Sequence, residues 1–155
     1  MSNQSDSNSP GYQLLLQLLR TADTVWNASR LFFERWDISP SQFNVLNLLH
    51  LCPEGLSQTE LSRELIMNRS NVTGLVDRLE KRGLVTRNEV ASDRRAYRVV
   101  LSAAGMALIK EILPHYYTRA NQVTAALPPH QVEELAAALN QIALNTQNIA
   151  SEMNR

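Results

Sequence analysis

The sequence predicts a mainly α-helical chain with one small β-hairpin, in which long terminal helices flank a compact central module. Three observations predict it. Apolar residues recur at steps of three and four near both ends, two short helices with start signals stand in the middle, and the β-prone runs form one adjacent pair.

The first helix is expected from Tyr12 to Trp36, where Leu15, Leu18, Ala22, Val25, Phe32 and Trp36 fall on one face and Leu14, Leu19, Trp26 and Phe33 widen it. A stripe this apolar needs more than its own small domain to cover it. Ser39-Pro40-Ser41-Gln42 reads as a capping box with proline at the first helical position, so a second helix should run from Pro40 to Leu51, where Pro53 and Gly55 end it. Ser57-Gln58-Thr59-Glu60 is another capping box and opens a short helix to about Leu65, with Leu61 and Leu65 turned inward.

After a brief turn at Ile66-Met67, Asn68 is expected to cap a helix reaching Arg82, with Val72, Leu75, Val76 and Leu79 inward and Gly83 at its exit. Two short helices joined so tightly make a helix-turn-helix. The β-prone runs, Leu84 to Glu89 and Ala96 to Leu101, form a hairpin around residues 90–95, the wing. Ser102 should cap a long helix to about Ala126, with Met106, Ile109, Leu113, Tyr116, Ala120 and Val123 on one face. Pro128-Pro129 breaks it and starts a last helix with Val132, Leu135, Leu139, Ile142, Thr146 and Ile149 in line.

The 155 residues carry 15 basic and 15 acidic side chains, but the charges are partitioned. Between Leu56 and Leu101 nine basic residues face six acidic ones, a balance of +3, and this is the plausible footprint for a polyanion. The single cysteine, Cys52, fits a reducing compartment and reads as an inert thiol at a helix end. There is no run of eighteen apolar residues, and the polar start lacks a signal-peptide layout, so a cytoplasmic protein without membrane partners is expected. Nucleophile and cofactor motifs are missing, and His50, His115 and His130 form no ligand pair, so neither an enzyme nor a metal or cofactor is expected.

A helix-turn-helix reads DNA because the first turns of its second helix present polar side chains to base edges in the major groove. Asn68, Arg69, Ser70, Asn71 and Thr73 are the residues expected there, and the density of Arg and Asn suits base readout. Arg78, Lys81 and Arg82 come later and suit backbone contacts or internal ion pairs; Ser57, Gln58, Thr59 and Arg78 are assigned to the DNA backbone. Asp93-Arg94-Arg95 is expected at the hairpin tip, with the arginines suited to a narrow, negative minor groove and Asp93 paired to one of them.

The run Ser70-Asn71-Val72-Thr73-Gly74-Leu75-Val76-Asp77-Arg78-Leu79-Glu80-Lys81-Arg82-Gly83-Leu84-Val85, with Ser92-Asp93-Arg94-Arg95-Ala96 and Val100-Leu101-Ser102 after it, resembles the MarR family of bacterial transcriptional regulators. The resemblance covers nearly the whole chain. It implies a winged helix-turn-helix homodimer on a palindromic operator, with interlocked first and last helices. It also implies Arg95 as the minor-groove finger supported by Asp93, and repression released by a small, often phenolic, effector. Gly74 stands where some members place a larger or basic residue, which concentrates readout on Arg69 to Thr73. Trp26, Phe33, Trp36, Phe43, His50 and Tyr116 could line a pocket for such an effector but are read as ordinary core, and no effector site is named.

The domain plan expected is a disordered polar N-terminus (1–11), a dimerisation helix (12–37), the DNA-binding module (38–101) and C-terminal dimerisation helices (102–155). A two-fold dimer would read inverted half-sites roughly 34 Å apart, one turn of the duplex. The competing reading is a protein-interaction module with the same winged fold, which does not need the Arg94-Arg95 tip.

Overall fold

The computed structural model describes residues 9–90 and 93–153, with backbone alone at Val90 and at 93–96. The order is α1 (Pro10–Phe33), a 3-10 turn (Glu34–Trp36), α2 (Pro40–Leu51), α3 (Gln58–Glu64), α4 (Arg69–Lys81), β1 (Val85–Val90), β2 (Asp93–Leu101), α5 (Ala103–Thr124) and α6 (Pro129–Met153). The mainly α chain with a two-stranded antiparallel hairpin is therefore the fold that the sequence predicts. Two compact units are present, one ending at Ile109 and one beginning at Lys110.

The helix starts obey local chemistry. Ser39 and Gln42 complete their capping box, as do Ser57 and Glu60, each pair exchanging side-chain and backbone hydrogen bonds. Helix α1 begins two residues before the expected Tyr12, because Ser9 accepts from the Tyr12 N–H at 3.2 Å and Pro10 has the φ of a first helical residue. It ends at Phe33 rather than Trp36. The chain tightens there into the 3-10 turn and leaves it through Asp37 in the left-handed region, φ 52.

Asn68 occupies the cap position of α4, but its side chain makes no capping bond; its carbonyl accepts from the Asn71 and Val72 N–H groups instead. The turn before it is a Schellman motif: Met67 N–H bonds the Ser62 carbonyl at 3.0 Å and Ile66 N–H the Arg63 carbonyl at 3.2 Å. Ile66 fills the left-handed position of that motif, φ 51, with its side chain exposed.

The core of the first unit is built from Phe33, Phe43, Leu46, Leu49, Leu61, Val72, Val76, Leu79, Val85, Val99 and Ile109. The rings of Phe33 and Phe43 stack with centroids 4.5 Å apart and join α1 to α2. In contrast Leu15, Leu19, Val25 and Trp26 on α1 are exposed, so most of the apolar stripe is uncovered in one chain, in line with an apolar face that exceeds what its own module can cover. Leu65 is half-buried rather than fully inward.

Strand pairing runs Val85 to Leu101 through Glu89 to Tyr97, then shifts so that Val90 faces Asp93. Arg94, Arg95 and Ala96 thus stand on β2 without counterparts on β1. The expected turn at 90–95 is shorter than predicted, because β1 runs on to Val90 and the backbone of Asp93, Arg94 and Arg95 is already strand. A third strand is reduced to one residue: Leu56 exchanges both backbone hydrogen bonds with Val99, at 3.0 and 2.8 Å. Gly55 permits this approach, with φ 76 and no room for a Cβ, which would lie 2.5 Å from the Val99 carbonyl oxygen.

Helix α5 contains Pro114, which the sequence reading passed over, and ends at Thr124, two residues short of Ala126. Val123, at the far end of its apolar face, is exposed in the single chain. No described residue of α6 is buried in the single chain. Among the described residues no helix is long and apolar enough to cross a membrane.

Candidate nucleic-acid interface

Helix α4 is two-faced. Val72, Leu75, Val76 and Leu79 are buried, while Asn68, Arg69, Ser70, Asn71 and Arg78 are exposed and Thr73 and Gly74 are half-buried. The N-terminal end of α3 lies against the same end of α4. Arg69 donates to the Thr59 hydroxyl, and Thr73 Oγ1 sits 3.1 Å from Gln58 Oε1 and 2.9 Å from the Arg69 carbonyl. The hydroxyl has one proton, and the Gln58 Nε2 is buried without a partner. Turning that amide over lets Nε2 donate to Thr73 while Thr73 donates to the helix, which satisfies the nitrogen.

Of the residues assigned by sequence, Asn68, Arg69, Ser70 and Asn71 are all exposed around the first turn of α4, with Thr59 beside Arg69. Thr73 and Gln58 bind each other. The Ser57 hydroxyl accepts from the Glu60 N–H at 3.2 Å and serves the helix start. The Ser57 backbone N–H, and after it the Ser57 hydroxyl, hold the Glu60 carboxyl below the usual carboxylate range, with Arg98 and Arg63 adding to the effect. The side chains of Asp93, Arg94 and Arg95, and the ion pair expected for Asp93, lie outside the described residues.

Sequence reasoning missed what fastens the wing. Arg87 on β1 pairs with both Asp77 and Glu80 of α4, and its guanidinium lies 5.4 Å from the Tyr97 ring centroid. Burial works against its charge, but Asp77 and Glu80 more than offset that and leave its pKa raised. The signal was present: Asp77 and Glu80 are three apart, hence neighbours on one helical face. On β2 Arg98 donates to the Gly55 carbonyl at 2.6 Å and lies 3.5 Å from Glu60, tying the wing to the α2–α3 connection. Arg82, expected in internal contacts, donates to the carbonyls of Asp37 and Trp36 and lies 3.5 Å from the Asp37 carboxylate.

The aromatic candidates behave mostly as core. Phe33, Trp36 and Phe43 are buried, Trp26 is exposed, and His50 is half-buried with an unpartnered Nδ1; Tyr116 belongs to the second unit. Cys52 ends α2 as a free, half-exposed thiol.

This surface, a polar helix start beside a braced hairpin, coincides with a known protein family. Residues 36–96 match the model of the MarR family. The HTH-type transcriptional regulator PapX of Escherichia coli is 34% identical over 101 residues, which are 64% of this chain and 62% of PapX. Over this central module the chain is similar to the MarR family.

The likeness to known regulators reaches beyond the central module. The HTH-type transcriptional regulator MhqR of Bacillus subtilis (strain 168) is 24% identical over 136 residues, covering 87% of this chain and 92% of MhqR. The structure of CouR from Rhodococcus jostii RHA1, bound to p-coumaroyl-CoA, superposes with a TM-score of 0.77 at 26% identity, over 91% of this chain and 96% of CouR. PapX and MhqR carry the names of regulators, not of enzymes.

Proposed function

We propose that this chain is a homodimeric, sequence-specific regulator of transcription that binds double-stranded DNA and acts as a repressor released by a small molecule. The observation that carries the reading is the open face of α4: its opposite side is anchored in the core, so Asn68, Arg69, Ser70 and Asn71 are held outward on a rigid element. Arg69 and Asn71 suit guanine and adenine edges, and Arg78 and Thr59 suit phosphates. Thr73 and Gln58 fix the angle between α3 and α4 rather than read bases. The wing, with Asp93, Arg94 and Arg95, is braced on the same helix through Arg87, so wing and helix meet one duplex as a single body.

Dimerisation accounts for the uncovered stripes, Leu15, Leu19, Val25 and Trp26 on α1 and Leu135, Leu144 and Ile149 on α6, which a second copy would cover. The complex of CouR with p-coumaroyl-CoA supports an effector of phenolic type.

The test is fluorescence anisotropy on duplexes from around the protein's own gene and from a randomised pool, at two or more salt concentrations. One palindromic duplex should bind far tighter than bulk DNA, with affinity falling steeply in salt. Arg95→Ala should weaken that binding by about tenfold or more while leaving the dimer intact. Equal affinity at matched salt would remove the minor-groove role, and failure of every duplex would remove the regulator reading.

A further inference from the structure

Gly74 stands inside α4, one turn after Ser70 and one turn before Arg78, on the side away from buried Val72, Val76 and Leu79. Glycine is a poor residue for a helix interior, because it gives up the most backbone freedom and packs nothing. At Gly55, Gly83 and Gly105 the reason for a glycine is visible, in a left-handed φ or a close backbone approach, whereas Gly11 in the first turn of α1 meets nothing. At Gly55 and Gly105 an added Cβ would lie 2.5 Å and 1.9 Å from backbone oxygens of Val99 and Leu84.

At Gly74 that reason is absent. Its φ is not in the left-handed region, and the nearest atom to an added Cβ would be a terminal guanidinium nitrogen of Arg78 at 3.5 Å. That is ordinary contact with the movable end of a side chain. Nothing within the described molecule requires a glycine here, yet it lies at the middle of the open face.

We propose that Gly74 is the seat of a thymine methyl group in the bound operator. The proposal rests on the DNA-binding reading. Gly74 is a notch one methyl deep, walled by bare helix backbone and flanked by the hydroxyl of Ser70 and the guanidinium of Arg78. A site without a side-chain donor or acceptor cannot take the amino, carbonyl or ring-nitrogen groups of a base edge, which need hydrogen bonds. The remaining major-groove feature that distinguishes one base pair from another is the C5-methyl of thymine, which is apolar and projects into the groove. In the free protein the Arg78 head lies over the notch, and its flexible stem lets it swing to a phosphate when the methyl enters.

The experiment sets a methyl on one partner against a methyl on the other. Gly74→Ala and the unaltered protein are titrated against the duplex selected from a randomised pool, then against duplexes in which each thymine in turn is replaced by deoxyuridine, which lacks only the methyl. The variant should bind the thymine duplex roughly tenfold weaker, and at one thymine the exchange to deoxyuridine should shrink that gap to about threefold or less. Its melting temperature should rise by about 2–4 °C, because alanine is the better helix residue. Equal binding of variant and unaltered protein overturns the proposal, as does a loss that no deoxyuridine relieves. A lowered melting temperature also overturns it, since the helix itself would then need the glycine. Failure of the unaltered protein to prefer any duplex is a different result, which removes the DNA-binding reading beneath it.

Discussion

Ile66 occupies the left-handed position of the Schellman turn between α3 and α4, where a Cβ is penalised and a branched one most of all. Its exposed side chain recovers nothing by burial. Ile66→Gly should therefore stabilise the protein by about 1 kcal/mol, the relief of the left-handed strain less the extra freedom of glycine in the unfolded chain. Thermal unfolding should show a midpoint about 2–4 °C higher, and an unchanged or lower midpoint would rule the strain out. At this scale the sequence was legible wherever a residue acts on its near neighbours. Ser39, Gln42, Ser57 and Glu60 announced their hydrogen bonds because a capping box closes within three residues. Ile66 and Gly74 were not legible as exceptions, because each looks ordinary until its φ or its empty surroundings are known.

Among the elements, the wing depends least on itself. A two-stranded hairpin is marginal alone, and this one is held by Arg87 on Asp77 and Glu80, by Arg98 on the Gly55 carbonyl and by the Leu56–Val99 bridge. Arg87→Ala should loosen it by about 1 kcal/mol, since the guanidinium is largely covered while both carboxylates keep access to solvent. Hydrogen exchange at the β1 and β2 amides should quicken by about fivefold, with α2 and the core of α4 unaffected. Uniform quickening across the first unit would mean that Arg87 supports the whole fold instead. The hairpin itself was readable from its β-prone runs, but its fastenings were not. Arg98 and Leu56 meet partners more than thirty residues away in sequence, a distance over which residue spacing carries no periodic signal.

For the whole chain, the terminal stripes are apolar and largely uncovered in one chain, as their excess over what a small module can bury implies, but periodicity shows which side of a helix is greasy and not what lies against it. If two copies supply the cover, dilution should weaken the fold. The melting temperature should rise with protein concentration, and sedimentation should give a dimer that Leu135→Asp breaks. A concentration-independent monomer would end the dimer reading. The even charge total says little at this scale; the partition along the chain, with its basic middle, is what carries the signal. One further property follows from Arg82, which ends α4 and grips the carbonyls of Trp36 and Asp37 at the corner where α1 gives way to α2. Helix α1 and the reading helix thus share a pivot. A torque on the end of α1 would therefore reach α4 by two routes, through the Arg82 guanidinium and through the Phe33–Phe43 stack into α2, so that the tilt of the first helix and the pitch of the fourth would not vary independently.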